Sequence, residues 1–311
     1  MRRPAYAVLG ASLYLASSSC FALPASGARD YANAPQGFTG LQYVYQHVDT
    51  NAEFDLPIVD PGLSMGIDLH TLRYLKYFGR GGHTSAFSVY QAYGDLDGTF
   101  SPFGGGRSIR LSGHGYSDTV VILGTNLSGA PYLPLNEYMQ WSFGPTVTAQ
   151  VMISAPTGSY SRDKLFNMGT NRWQVKPELA YLMPVGEKGW WDVYGNVEWF
   201  QDNDDPRGGN RLETKPLFGL DTHYSYTFNR AFWAGVGVSY RRGGATRLDG
   251  ISQGGSEEYT DGVATASMTF SPNWMMKAMY SHPIKASNED VNTKIFQLTI
   301  QYNWGHLPSN R

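Results

Sequence analysis

Charge is scarce in this chain, and so is cysteine. Only 16% of its 311 residues are charged, 24 Lys and Arg against 26 Asp and Glu, with no long basic run. That balance lacks the electrostatic footprint of a nucleic-acid binder. A single cysteine, Cys20, leaves no disulfide framework and no paired thiols for zinc or redox chemistry. Long apolar runs are also missing: past the first 22 residues nothing approaches the roughly 20 apolar residues of a spanning helix. Any membrane crossing must therefore use strands closed into a barrel, because only closure pairs every backbone group away from water.

What is abundant points the same way. The chain holds 36 glycines, 21 tyrosines, 15 phenylalanines and 8 tryptophans, the composition of a turn-rich all-β protein. Arg2 and Arg3 precede an uncharged stretch from Pro4 to Ala22, centred on the apolar run Ala5 to Leu15 and followed by Ala25-Ser26-Gly27-Ala28. A charged start, a short apolar middle and a small-residue exit predict a secretory signal over residues 1–28, cut after Ala22 or after Ala28. Either cut removes Cys20 with the signal and sends a thiol-free chain to an oxidising compartment. A short lead, 29–37, would follow, then a barrel over 38–304 and a tail over 305–311.

The last predicted strand shows the pattern most plainly. From Lys294 to Trp304, Phe296, Leu298, Ile300, Tyr302 and Trp304 share one face and mainly polar residues the other, as expected where one face meets lipid and the other a wet lumen. About twelve such strands can be placed, separated alternately by long and short connections. The expectation is a single antiparallel transmembrane β-barrel with short periplasmic turns, long extracellular loops and both termini periplasmic, in the outer membrane of a Gram-negative bacterium. Gln297, Tyr302 and Trp304 resemble the closing signal read by barrel-assembly machinery, although Thr299 stands where that signal carries glycine. The fifth strand is expected over Glu137 to Ser154, with Trp141 and Phe143 on its lipid side.

Aromatic spacing supplies a ruler. Trp191 and Trp199, Phe218 and Tyr226, Phe232 and Tyr240, and Phe296 and Trp304 stand eight residues apart on one face of their strands. Eight tilted steps span about 20 Å of membrane normal, close to the separation of two aromatic girdles. On the opposite faces lie Arg172, Lys176, Glu178, Asp192, Asn196, Glu198, Asp221, His223 and Lys277. A charge facing lipid costs roughly 2 to 4 kcal/mol at the midplane, so these residues are expected to line the lumen.

Chemistry of other kinds finds little footing. The seven histidines are scattered; Asp68 with His70 and Asp221 with His223 each share a strand face and read as lumen hydrogen bonds, with no serine placed beside either pair. The reading is of a non-enzyme without metal or cofactor, although the loop carboxylates Asp202, Asp204 and Asp205 form a candidate cation cluster. Pro156-Thr157-Gly158-Ser159-Tyr160, then Leu165, Asn167-Met168-Gly169-Thr170-Asn171-Arg172-Trp173 and Pro177, resemble a segment of the outer-membrane family of meta-pathway phenol-degradation proteins. That resemblance, from about Gly37 to Trp304, implies a transporter-like barrel associated with uptake of aromatic or other hydrophobic compounds, and assigns no active-site residue. The partners expected are outer-membrane lipid, a small-molecule solute and the assembly machinery, with no nucleic acid. A structural or surface-interaction barrel, and a lipid-modifying outer-membrane enzyme, are the alternatives.

Overall fold

The computed structural model describes residues 26–51, 63–100, 109–164, 166–252, 256–286 and 292–305. The expected signal segment up to residue 25, Leu165 and the tail beyond Gly305 lie outside the described residues. The strands are β1 (Thr39–Thr50), β2 (Leu63–Arg80), β3 (His83–Phe100), β4 (Ile109–Tyr116), β5 (Thr119–Ser128), β6 (Thr146–Ala155), β7 (Gln174–Val185), β8 (Gly189–Phe200), β9 (Leu212–Thr214), β10 (Leu217–Thr227), β11 (Phe232–Gly243), β12 (Thr246–Leu248), β13 (Ile251–Ser252), β14 (Glu257–Thr269), β15 (Trp274–Ala286) and β16 (Lys294–Trp304). One short helix, α1, spans Leu135–Tyr138.

Thirteen strands form one antiparallel sheet, and its ends meet because β1 pairs with β16 from Thr39↔Trp304 to Asp49↔Lys294. β4 and β5 occupy successive stretches of β3, above and below a break at Ser117 and Asp118, and so count as one stave. Thirteen less that merger gives a closed twelve-stranded barrel. β9, β12 and β13 make a small separate sheet within two of the long connections. The first strand begins and the last ends at the rim that carries the short turns.

Burial is inverted relative to a water-soluble sheet. In β16 the polar Gln297, Thr299, Gln301 and Asn303 are buried, whereas Phe296, Ile300, Tyr302 and Trp304 are each about 40% exposed. β6 repeats the pattern: Thr146, Thr148, Gln150 and Ser154 point in, and Val147, Ala149, Val151 and Ile153 point out. Such an apolar exterior would be costly in water and is stable only against lipid. All eight ruler aromatics lie on the outer face, Phe232 and Tyr240 half-buried and the other six exposed.

Two regions differ from the sequence expectation. The strand expected from Glu137 starts only at Thr146. Pro134 instead opens α1, and Trp141 and Phe143 fold beneath the barrel, where Phe143 stacks near Trp141, Tyr138 and Trp190 at centroid distances of 4.5, 5.7 and 5.8 Å. Prolines at 131, 134 and 145 interrupt the ladder there. Asp68 and His70 stand on the outer face of β2 near its long-loop end, not in the lumen. Asp68 accepts hydrogen bonds from Tyr45 (2.6 Å) and His47 (2.8 Å), while His70 meets Tyr43 (2.7 Å).

Candidate functional site: the barrel interior

The interior has two unlike walls. Along β2, β3, β5, β6 and β7 the inward side chains Leu75, Tyr77, Ala86, Tyr90, Val120, Ile122, Met152 and Leu182 form an apolar arc, interrupted by Arg73 and by the polar residues of β6. The opposite arc, from β7 to β15, carries Lys176, Glu178, Asp192, Asn196, Glu198, Asp221, His223 and Lys277, each at most 7% exposed. Arg172 is buried just before β7, with Nη1 donating to Thr214 at 2.6 Å and its guanidinium 4.8 Å from the Phe200 ring.

Several of these groups meet at mid-height. Glu178 accepts from Asn196 (2.8 Å) and Gln150 (3.1 Å), and its other partners are Lys176, at 3.8 Å, and the Tyr31 hydroxyl. Asp221 holds Arg241 in a two-pronged pair at 3.0 and 3.1 Å, a partner outside the candidate set. Buried charges persist when geometry and extra hydrogen bonds offset their desolvation, and both carboxylates meet that condition. The hydrogen bond expected between Asp221 and His223 does not form, because Arg241 takes both carboxylate oxygens; His223 has no hydrogen-bond partner among the described residues, and its ring lies across Gly237, where a Cβ would stand 2.0 Å from Nδ1. Among the described residues neither His70 nor His223 bonds to a serine. In the outer cluster, Asp202 pairs with Arg211 and Asp205 with Arg162, so two of its three carboxylates hold arginines.

Between the two walls lies a segment that carries no strand pattern. Residues 26–38 run inside the barrel before β1, with Ala28, Tyr31 and Ala34 almost fully buried. Tyr31 and Ala34 join the apolar arc, and Tyr31 packs edge-on against Tyr194 at 4.9 Å. Arg29 and Asp30 face the charged arc. The Arg29 N–H donates to Asp192 at 2.5 Å, its Nε and Nη2 reach Ser225 (2.8 Å) and Thr227 (2.9 Å), and its guanidinium sits 4.7 Å from the Trp233 ring. Asp30 pairs with Lys277. The root of the segment is clamped by the connection below β5: Asn33 donates to the Pro131 carbonyl (3.0 Å), Tyr138 donates to the Asn33 carbonyl (2.6 Å), and Gln36 donates to Leu133 (2.7 Å). The segment thus fills the half of the lumen nearest the short turns.

The long-loop end is shaped by the motif around Gly158 and Gly169. Asp118, at the break between β4 and β5, accepts from the N–H of Gly158 (2.9 Å), the N–H of Thr170 (3.0 Å) and the Thr170 hydroxyl (2.7 Å). The backbones cross so closely that a Cβ on Gly158 would stand 2.7 Å from the Gly169 Cα. Asn171 takes φ 54°, and its side chain donates to Asn203 at 2.9 Å. Met168 then packs onto a second inward apolar cluster that includes Ile67, Leu69, Leu96 and Leu111.

A closed barrel with an apolar exterior, a charged interior and long loops at one rim defines an outer-membrane β-barrel protein. The chain belongs to the family described as "Putative MetA-pathway of phenol degradation", whose model matches residues 46–299. In three dimensions it resembles an outer-membrane channel from Pseudomonas putida F1, with TM-score 0.72 and 23% identity over 88% of this chain and 97% of that one. It also resembles the translocator domain of the autotransporter NalP from Neisseria meningitidis (TM-score 0.50, 12% identity, 86% of this chain and 88% of that one). At these identities the likeness establishes the fold. No curated protein matches the chain in sequence.

Proposed function

We propose that the protein is an outer-membrane channel for passive uptake of a small aromatic or hydrophobic solute that carries a polar group. The long loops face the outside, and the short turns and both termini face the periplasm. The observation that carries this reading is that the half of the lumen nearest the short turns is filled by a separate tethered segment, residues 26–38, rather than only by the strands' own side chains. A barrel packed with its own side chains is shut for good, whereas a tethered segment can shift without breaking the sheet.

The divided interior supports the solute class. The apolar arc suits a ring or short chain, and Glu198 Oε2 and Arg172 Nε, buried and without hydrogen-bond partners among the described residues, suit its polar group. No covalent step is required; a concentration gradient drives net flow. Liposome swelling with phenol-like and aliphatic solutes, beside growth of a deletion strain on the same compounds, tests the reading. Faster swelling with aromatic solutes supports it, and a barrel that passes no solute tried contradicts it. The dense charge network at mid-height favours the second reading, a closed structural barrel.

A further inference from the structure

The tip of the lumen segment is a turn with its own internal bonds. Ala28, Arg29 and Asp30 form it, with Arg29 at φ 60°. The Asp30 carboxylate accepts from the Gly27 N–H at 2.8 Å, and the Lys277 ammonium meets both that carboxylate and the Ala28 carbonyl, the latter at 3.3 Å. Three barrel strands reach the residues ahead of Arg29. Tyr194 of β8 donates to the Gly27 carbonyl (3.4 Å), Thr265 of β14 accepts from the Ala28 N–H (3.4 Å), and Lys277 belongs to β15. The wall fits closely there: a Cβ on Gly27 would stand 2.8 Å from Lys277 Nζ.

Both expected cuts offer what a signal peptidase wants, small residues at the cut and two places before it. Cys20 and Ala22 frame one, Ser26 and Ala28 the other. The enzyme acts on the extended precursor during export, so burial in the folded barrel does not protect either bond. The folded product distinguishes them. A cut after Ala28 severs the turn, removes the Gly27 N–H from Asp30, and strips Tyr194, Thr265 and Lys277 of the groups they meet in Gly27 and Ala28. The later cut would gain one interaction, an ammonium at Arg29 facing Asp192. That contact already exists as an N–H hydrogen bond, so the gain is smaller than the loss.

We propose that processing falls after Ala22, so that the mature chain begins at Leu23 and keeps Ser26, Gly27 and Ala28 as the tip of the lumen segment. The test is N-terminal sequencing and intact mass of the full precursor expressed in a Gram-negative host and purified from its outer membrane. A start at Leu23 is expected, and a start at Arg29, six residues later, overturns the proposal. Two precursor variants read the same question before folding matters. Ala22→Asp abolishes the Leu23 start, while Ala28→Asp is processed to the same Leu23 start; the reverse pattern also overturns it. These outcomes do not depend on whether the barrel conducts.

Discussion

Asp30 and Lys277, 247 residues apart in sequence, form an ion pair inside the barrel, both almost out of solvent. The pair ties a strandless segment to β15. Lys277→Met leaves the Asp30 charge buried without its partner, at a cost of about 3 to 5 kcal/mol. The expected result is a loosened segment and faster liposome swelling than wild type. Asp30→Asn with Lys277→Met removes both charges and is expected to restore part of the difference. Equal swelling in all three would show that this pair does not hold the lumen shut.

Tyr138 anchors the other end of the segment through a hydrogen bond to the Asn33 carbonyl. Tyr138→Phe removes a single buried donor, at about 0.5 to 1.5 kcal/mol. A smaller rise in swelling than that of Lys277→Met is expected, with an unchanged far-UV spectrum.

Asp118 organises the long-loop end. Asp118→Ala strands the buried N–H and hydroxyl of Thr170, about 1 to 3 kcal/mol for each unsatisfied group, and frees the half-buried Gly158 N–H. The connection between β6 and β7 should then become sensitive to trypsin at the exposed Arg162 and Lys164, while the barrel keeps its heat-dependent migration. Gly158→Ala should do the same, because its Cβ would meet backbone at 2.7 and 2.8 Å. Resistance as strong as wild type in both variants would count against this latch.

The alternation of β6 and β16 made the barrel legible, since a period of two leaves little freedom once one face must meet lipid. The same parity reaches Lys176 and Glu178. It missed the apolar arc, because Leu75, Ile122 and Leu182 carry no charge to mark an inward face. It missed Arg29 and Asp30 altogether: a segment without strand periodicity offers no face to count, and only pairing with Asp192 and Lys277 reveals its place. Trp141 and Phe143 misled because alternating aromatics also occur where prolines force a packed loop.

Lipid exposure can be tested separately from conduction. Val236, on the outer face of β11, is 65% exposed, and Val236→Arg should cost roughly 2 to 4 kcal/mol of folding stability in a bilayer. Ile251→Arg, in the small sheet of the long connections and similarly exposed at 69%, should cost close to nothing. Urea titrations of both variants refolded into liposomes would show the contrast; equal stabilities would contradict the assignment of the outer wall to lipid.

Occlusion by residues 26–38 is the centre of the account, and single-channel conductance measures it directly. Wild-type protein in a planar bilayer should show small or rare openings. A variant lacking residues 26–36 should show large, persistent ones, with the barrel's sheet content unchanged. Identical conductance with and without the segment would contradict the claim that it closes the lumen.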